Sequence, residues 1–311
     1  MPEVTVVIPT RDRPELLAVT LHSALWQRDI DFAVVVVDDG SRTDPREGVE
    51  ALNDPRVQVI RHPSSLGVAR ARNYGIETAT SEWIAFLDDD DVWAPAKLAL
   101  QVAECTSSGR DWCYAGAVDV SPDLTVLSAP PPVEPDDVMA RLGRFNPVPG
   151  GGSGVIVRSE LLRRAGGFDA QFHTFADWEL WMRLGAHGPP AAVRRPLVGY
   201  RIHGGGMSRD TDATIAEARL LERTSGRRID MAAVHRHVMG ICLRSGRRGA
   251  AARHLLKSEI VSSDGPAVVA PFRVLRRAVT YRRRSARRPA APDIWVAEAD
   301  LWLARLAAET G

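Results

Sequence analysis

Four adjacent aspartates, Asp88–Asp91, follow an apolar run that ends at Leu87. Such a run is typical of a buried strand. Four neighbouring carboxylates repel one another, so a compensating positive charge is expected beside them. Mg²⁺ or Mn²⁺ bound together with substrate phosphates would supply that charge, because these ions prefer carboxylate oxygens. A solvated acidic turn is the alternative, and this cluster alone does not decide between the two.

Three further polar segments stand where apolar runs end or a helix begins. They are Ile8-Pro9-Thr10-Arg11-Asp12-Arg13, Val37-Asp38-Asp39-Gly40-Ser41 and Gly67-Val68-Ala69-Arg70-Ala71-Arg72-Asn73. Carboxylates after a strand can accept hydrogen bonds from a base or a ribose, and a glycine-led helix start with an arginine suits phosphate. Each segment taken alone also fits an ordinary turn or a capped surface helix.

The elements that would carry these segments alternate over the first hundred residues. Apolar runs at 4–9, 32–37, 57–60 and 84–87 predict strands. Helical spacing at 14–26, 67–79 and 95–105 predicts helices, the first with Asp12 as a plausible N-cap. Strands separated by helices of this length indicate βαβ units with a parallel sheet. Ligands of such sheets bind outside the carboxyl ends of the strands, where the polar segments lie.

In this order the motifs strongly resemble the family 2 glycosyltransferases of the GT-A fold. The resemblance covers roughly Met1 to Ser208 and continues after the aspartates with Gly166-Gly167-Phe168-Asp169 and Asp177-Trp178-Glu179-Leu180-Trp181-Met182-Arg183-Leu184. It implies an α/β fold, a GT-A type Rossmann-like sandwich with a mostly parallel central sheet. Because the signal from Thr214 onward is helical, we expect a GT-A domain over residues 1–210 and a helical, basic C-terminal region over residues 211–311.

The resemblance also assigns roles to individual residues of the donor site. It implies that the nucleotide-sugar contacts Pro9, Thr10, Arg11, Asp39, Arg70 and Asp89, the last near the ribose. Asp90 would be the main ligand of Mn²⁺ or Mg²⁺, and Asp88 is a further candidate ligand. His203, in Tyr200-Arg201-Ile202-His203, is a third candidate, since a histidine can complete such a metal shell. A loop histidine without a ligand is the alternative.

Asp177 is the residue that the resemblance identifies as the general base. Inverting transfer needs a base that takes the proton of the acceptor hydroxyl as the anomeric carbon is attacked. The alternative is that Asp177 only caps the helix over 178–184. Many relatives carry Glu-Asp at this point, whereas this chain has Ala176-Asp177.

The function implied is metal-dependent, inverting transfer of one sugar from a nucleotide-diphospho-sugar to an acceptor hydroxyl. The acceptor would be a glycan, a lipid-linked glycan or a natural product. The sequence has no Q-x-x-R-W signature of processive synthases and no apolar run near the ~18–20 residues that span a bilayer. It also has no P-loop. A non-catalytic nucleotide-sugar-binding or scaffold protein that keeps the fold is the alternative.

Charge is distributed unevenly along the chain. Residues from Thr214 onward hold 19 Arg or Lys and 9 Asp or Glu, whereas the preceding part holds 21 and 30. The Arg-rich segment 272–288 carries eight arginines and no acid, which suits contact with an anionic membrane surface, a partner or solvent. No motif indicates nucleic-acid binding. We expect a cytoplasmic protein with three reduced cysteines, and leave peripheral attachment to the membrane and a homodimer open.

Overall fold

A computed structural model describes residues 1–130, 133–203, 210–262 and 293–310. Its contacts divide the chain into two compact units. The first comprises residues 1–140, 147–202 and 291–311, and the second comprises residues 141–146 and 203–290. The domain boundary at 210 stays a prediction, and residues 291–311, which were expected in the C-terminal region, are part of the first unit.

The first unit is built on one nine-stranded sheet in the order β3-β2-β1-β4-β8-β6-β9-β5, with β7 paired to β6. The strands are β1 (Val4–Thr10), β2 (Phe32–Asp38), β3 (Val57–Arg61), β4 (Trp83–Phe86), β5 (Val92–Trp93), β6 (Trp112–Val120), β7 (Val126–Ser128), β8 (Val155–Arg158) and β9 (Ala191–Arg201).

Helices cover the sheet and form the second unit. They are α1 (Pro14–Leu25), α2 (Arg46–Glu50), α3 (Val68–Thr78), α4 (Lys97–Ser108), α5 (Pro135–Leu142), α6 (Ser159–Arg164), α7 (Ala176–Gly185), α8 (Thr211–Ser225), α9 (Met231–Arg244), α10 (Arg248–Ser262) and α11 (Asp293–Thr310). The proline- and acid-rich stretch 128–137 predicts a loop, whereas α5 begins at Pro135 within it. Neither α2 nor α11 is predicted from the sequence.

The predicted capping role of Asp12 is wrong. The N-cap of α1 is Arg13, and Asp12 lies before it with a positive φ of 54°. The carboxylate of Asp12 accepts a hydrogen bond from the backbone N–H of Arg42 (2.8 Å) in the loop after β2. Asp12 therefore ties two neighbouring loops together and leaves the first turn of α1 uncapped by a side chain.

The strands β3, β2, β1 and β4 run parallel, as the sequence predicts. Thr10 pairs in register with Asp38, so β1 and β2 end side by side, and Val7 pairs with Phe86 near the end of β4. All residues of β1 are buried, which fits a strand covered by helices on both faces. This register brings the polar segments that follow β1, β2 and β4 to one edge of the sheet.

The other half of the sheet is mixed. β8 runs antiparallel to both β4 and β6, whereas β9 is parallel to β6. The C-terminal helix α11 packs on β9, where the buried Trp302 donates a hydrogen bond from Nε1 to the carbonyl of Pro196 (2.9 Å). The half that carries β6, β8 and β9 therefore depends on the end of the chain for part of its core.

The second unit has a small core of its own. Val238, Met239 and Cys242 of α9 pack with Ala251 of α10. Two buried histidines of these helices, His235 and His254, approach to 3.1 Å between their Nδ1 atoms. This hydrogen-bonded pair extends the contact between α9 and α10 beyond the apolar cluster.

Among the described helices, none combines the length and the apolar composition that a membrane crossing requires. The Arg-rich segment 272–288 lies outside the described residues. Its predicted contact with a membrane surface or a partner stays a prediction.

The close approach of α3 to β1 gives a test of the fold. A Cβ on Gly75 would lie 2.3 Å from Cγ1 of Val7. Although alanine normally stabilises a helix relative to glycine by about 1 kcal/mol, Gly75→Ala should lower the free energy of unfolding, since overpacking costs about 1–3 kcal/mol. Urea unfolding would measure the change.

Two variants serve as controls for this prediction. A Cβ on Gly48 in α2 would meet no atom within 4 Å, so Gly48→Ala should be neutral or stabilising. In a Val7→Ala background, Gly75→Ala should lose most of its cost because the clashing methyl group is gone. A cost of Gly75→Ala that is unchanged in that background would contradict the packing explanation.

Candidate active site

The acidic cluster Asp88–Asp91 lies in the loop between β4 and β5, at the edge where β1 and β2 end. Helix α1 holds the backbone of this loop, because Oγ1 of Thr20 lies 2.9 Å from the carbonyl oxygen of Asp89 and 2.8 Å from that of Asp91. Oγ of Ser153, in the 3₁₀ turn 151–154 before β8, accepts the backbone N–H of Asp88 (3.0 Å). The cluster is thus fixed from two sides.

Exposure separates the four carboxylates into two kinds. The side chains of Asp88 and Asp90 are 19% and 17% exposed, whereas those of Asp89 and Asp91 are nearly or fully buried. Asp91 accepts hydrogen bonds from Oγ of Ser153 (2.6 Å) and from the backbone N–H of Arg201 (2.9 Å). Burial raises the pKa of Asp91 well above its usual value. Asp91 therefore links the loop to β8 and β9, and Asp88 and Asp90 face outward.

Part of the expected positive charge comes from the chain itself. Nη1 of Arg13 lies 3.0 Å from Oδ1 of Asp89 and 2.8 Å from Oδ2 of Asp90. Arg72 of α3 donates to Oδ1 of Asp88 from a buried position. Asp89 also accepts from Oγ1 of Thr10 (2.8 Å), yet burial and the neighbouring Asp90 raise the pKa of Asp89 to about 6. Two arginines thus neutralise the cluster in part.

The carboxylate of Asp39 holds the loop that leads into α3. It accepts the backbone N–H groups of Leu66 (2.7 Å) and Gly67 (2.9 Å) and the hydroxyl of Ser65 (2.6 Å), with Nδ1 of His62 at 3.4 Å. Burial would raise the pKa of Asp39, but these hydrogen bonds outweigh it and the pKa is lowered. A carboxylate has about four acceptor positions. A nucleotide base would therefore have to replace one of these donors.

The other residues predicted to contact the nucleotide lie around the same edge. Pro9 and Thr10 are buried at the end of β1, and Thr10 reaches the acidic cluster. Arg11 is exposed and donates to Oγ of Ser65 (2.9 Å), which places it beside the loop held by Asp39. Arg70 is exposed on α3. Nucleotide contact by any of these residues stays a prediction.

Asp177 lies in the first turn of α7 but is not its N-cap, which is Phe175. Its Oδ1 accepts the backbone N–H of Trp178 (2.6 Å). A Cβ on Gly151 would lie 3.3 Å from Oδ2 of Asp177, so this carboxylate approaches the turn that also carries Ser153. Burial raises the pKa of Asp177 to about 6, and the positive charge of Arg72 opposes that rise. A carboxylate with such a pKa suits general-base chemistry near neutral pH.

The described side chains fit a divalent cation that shares its shell with a substrate. Among the described residues, no three His, Cys, Asp or Glu side chains are grouped so as to hold a metal ion by themselves. Mg²⁺ and related ions, however, are commonly held by one or two carboxylates plus substrate phosphates. Asp88 and Asp90 are the two carboxylates that face outward and fit that role. His203 is the first residue after the break between the units, and its ligand role stays a prediction.

Three residues of this site were not assigned from the sequence: Arg13, Arg72 and Ser153. Arg72 could have been found, because the spacing of Ala69, Arg72 and Ile76 places it on the buried face of α3 rather than with the exposed Arg70. No local pattern distinguishes Ser153, whose partners are 62 and 65 residues away. Its role follows only from the antiparallel pairing of β8 with β4.

Residues 5–140 match the profile of the family described as Glycosyl transferase family 2. An uncharacterized glycosyltransferase of Haemophilus influenzae is 28% identical over 217 residues, which is 68% of this chain and 72% of that protein. The UDP-Glc:alpha-D-GlcNAc-diphosphoundecaprenol beta-1,3-glucosyltransferase WfaP of Escherichia coli is 26% identical over 211 residues, 66% of this chain and 79% of WfaP. Other relatives match over less of their length, for example 31% of the succinoglycan biosynthesis protein ExoO of Rhizobium meliloti.

Two solved structures share the fold of this chain. TarS 1–349 of S. aureus in complex with UDP-GlcNAc superposes with a TM-score of 0.57 at 16% identity, over 91% of this chain and 88% of TarS. The mannosyltransferase PcManGT of Pyrobaculum calidifontis, in complex with GDP-Man and Mn²⁺, gives a TM-score of 0.55 at 19% identity, over 99% of this chain and 87% of PcManGT. Residues 5–140 of this chain therefore resemble the family 2 glycosyltransferases, and the described residues have a fold of the GT-A type.

Proposed function

We propose that this protein transfers one sugar, with inversion, from a nucleoside-diphospho-sugar to an acceptor hydroxyl, and that the reaction depends on Mn²⁺ or Mg²⁺. The observation that carries the proposal is that Arg72 donates to the partly exposed Asp88 and that its charge also acts on Asp177. This supports a site in which a base and a cation-binding carboxylate act on one substrate.

In the proposed reaction Asp177 accepts the proton of the acceptor hydroxyl. The acceptor oxygen forms a bond to the anomeric carbon, and the bond from that carbon to the diphosphate oxygen breaks. The electron pair of the broken bond leaves with the nucleoside diphosphate. Because attack and departure occur on opposite faces of the sugar, the anomeric configuration inverts and no covalent glycosyl-enzyme intermediate is needed.

The acidic cluster serves the departing diphosphate. Mn²⁺ or Mg²⁺ held by Asp88 and Asp90 would supply positive charge to the leaving group. Arg13 lies within 3.0 Å of both Asp89 and Asp90 and keeps the two carboxylates oriented. Thr10 holds Asp89 at the end of β1, in the position proposed to lie near the ribose. The PcManGT complex with Mn²⁺ supports the metal dependence by analogy.

The acceptor class is proposed from the relatives. WfaP is named for acting on α-D-GlcNAc-diphosphoundecaprenol. We infer a saccharide carried on a lipid diphosphate as the acceptor of this protein. Such an acceptor would require contact with a membrane surface, for which the Arg-rich segment 272–288 is suited by its charge.

The donor site is tested by thermal shift with UDP, GDP, dTDP and CDP, each with and without Mn²⁺. A ligand at 100 times its dissociation constant stabilises the protein by about 2.7 kcal/mol. We expect one nucleotide to give a shift that requires the metal. Asp90→Ala should abolish the metal-dependent part because it removes a proposed cation ligand.

Asp123→Ala is the matched control, since Asp123 is an exposed aspartate in the turn before β7 and should leave the shift unchanged. An equal metal-dependent shift in Asp90→Ala would contradict the metal assignment. A protein that binds donor but never releases nucleotide from it, with or without acceptor, would support the non-catalytic alternative.

Asp177→Asn tests the base. The amide oxygen of Asn can still accept the N–H of Trp178, so the start of α7 should be preserved. Loss of a general base lowers turnover by about 10²–10⁴-fold. We expect normal metal-dependent nucleotide binding and a loss of this size in nucleoside diphosphate release. Turnover near that of the wild type would contradict the assignment.

The pKa of Asp177 predicts the acid limb of the pH profile. The base acts only when ionised, and burial places its pKa at about 6. At saturating donor, kcat should be level above about pH 7 and should fall about tenfold per pH unit below 6. Nucleotide binding measured in the same buffers separates this effect from protonation of Asp89. If kcat falls only near pH 4, the base lies in a more polar environment.

A further inference from the structure

Arg72 is a buried arginine of α3 that pairs with Asp88 of the acidic cluster. Its side chain is 3% exposed, and it donates from Nη2 to Oδ1 of Asp88. The guanidinium carbon lies 5.1 Å from the ring centre of Phe168, and Nε has no hydrogen-bond partner among the described residues. A buried guanidinium is costly unless carboxylates nearby compensate its charge. Asp88 compensates it from one side only.

Arg72 and Asp177 both approach the 3₁₀ turn 151–154. A Cβ on Gly152 would lie 3.3 Å from Nη2 of Arg72, and a Cβ on Gly151 would lie 3.3 Å from Oδ2 of Asp177. Two successive glycines of one turn therefore touch the guanidinium and the carboxylate. Gly151 has a positive φ of 53°, which disfavours any side chain at this position. The turn keeps Arg72 and Asp177 near each other without an intervening side chain.

We propose that Arg72 is a positioning residue of the transfer reaction, which holds Asp88 on the cation side and keeps Asp177 ionised on the base side. This inference rests on the proposed function. In this proposal the single buried charge of Arg72 acts on both the cation-binding carboxylate Asp88 and the base Asp177.

The pKa of Asp177 depends on the positive charge of Arg72. Burial favours the neutral form of Asp177, and Arg72 is the largest influence in the opposite direction. Among the described residues, Asp88 and Tyr200 are two further titratable groups coupled to Asp177, and the phenol of Tyr200 is uncharged at neutral pH. Within α7, Glu179 is paired with Arg183 instead. Removal of the Arg72 charge should therefore raise the pKa of Asp177.

The test measures the titration of Asp177 directly, in protein free of metal and donor. Aspartate labelled with ¹³C at the carboxyl carbon gives a pH-dependent signal, which Asp177→Asn identifies by its absence. In Arg72→Gln the titration midpoint of Asp177 should rise by at least about one pH unit, since a neighbouring opposite charge lowers an aspartate pKa by one to three units. In Arg72→Lys, which keeps a positive charge, the midpoint should stay closer to that of the wild type.

Arg158→Gln is the matched control. Arg158 also pairs with two carboxylates, Glu82 and Asp111, and its guanidinium carbon lies 4.4 Å from the ring centre of Trp83. Its replacement also removes an arginine that pairs with two carboxylates, at a more exposed position (32% against 3% for Arg72) and without contact to Asp88 or Asp177. The midpoint of Asp177 should not move in this variant.

Turnover gives the second readout. With the donor found by thermal shift, the pH at which kcat falls should rise in Arg72→Gln, together with the titration midpoint of Asp177. In Arg72→Lys this pH should stay the same, but kcat should be lower because lysine lacks the planar guanidinium group. An unchanged Asp177 midpoint in folded Arg72→Gln would overturn the inference. If Arg72→Gln does not fold, a midpoint in Arg72→Lys or Asp88→Asn that rises by a unit or more would overturn it, because both changes leave a positive charge near Asp177.

The two proposals fail in different ways. If no donor is turned over but the carboxyl titration responds to Arg72 as expected, the proposed function is wrong and the coupling of Arg72 to Asp177 holds. If donor turnover depends on Asp177 but its titration ignores Arg72, the proposed function holds and the positioning role is wrong.

Discussion

Four carboxylates in consecutive positions at the end of β4 impose the constraint on which the rest of this site depends. Their mutual repulsion must be offset without closing the site to a substrate. The chain offsets the charges of the four carboxylates to different extents. Asp91 is buried and hydrogen-bonded into the sheet, Asp89 is shared between Thr10 and an arginine, and Asp88 and Asp90 stay partly exposed. Asp88 and Asp90 are thus the two carboxylates that an incoming cation could reach, and each has an arginine partner.

The groups that hold the cluster come from several elements. Arg13 is the N-cap of α1, Arg72 lies in α3, and Ser153 belongs to the turn before β8. Because each of them contacts the cluster, the cluster connects the parallel half of the sheet with the mixed half. Ser153 also accepts the indole N–H of Trp93 through its carbonyl oxygen (2.8 Å), which extends this connection to β5. The acidic loop is therefore a structural junction as well as a candidate substrate site.

The same arrangement sets the chemistry proposed for Asp177. A carboxylate with strong positive charge beside it has a low pKa and is therefore a weak base. A carboxylate that is fully removed from water has a high pKa and stays protonated at neutral pH. Burial in α7 raises its pKa, and Arg72 limits the rise, so the value of about 6 is the result of two opposing influences. The glycine turn at 151–152 makes this balance possible because it admits the two side chains at short range.

Much of this protein can be predicted from its sequence. Apolar runs that end in polar clusters give the parallel strands and the edge at which Thr10, Asp39 and Asp88 lie, because strand direction and hydrophobic period are local properties. The order of the motifs indicates the family. The α11 contact with β9 and the hydrogen bond of Asp12 to the backbone of Arg42 were not predictable in this way. Both depend on residues distant in sequence.

Only the tertiary structure distinguishes the four aspartates of the acidic cluster by their burial and their partners. In the sequence the four aspartates are equivalent neighbours, and Arg70 and Arg72 are equally plausible ligands of a phosphate. Their roles separate only when packing buries some side chains and exposes others. Burial changes the cost of a charge, and that cost depends on partners that the fold brings from 62 to 110 residues away, as for Asp91 with Ser153 and Arg201. Sequence spacing therefore predicts the candidate site, and desolvation separates its carboxylates into buried and partly exposed ones.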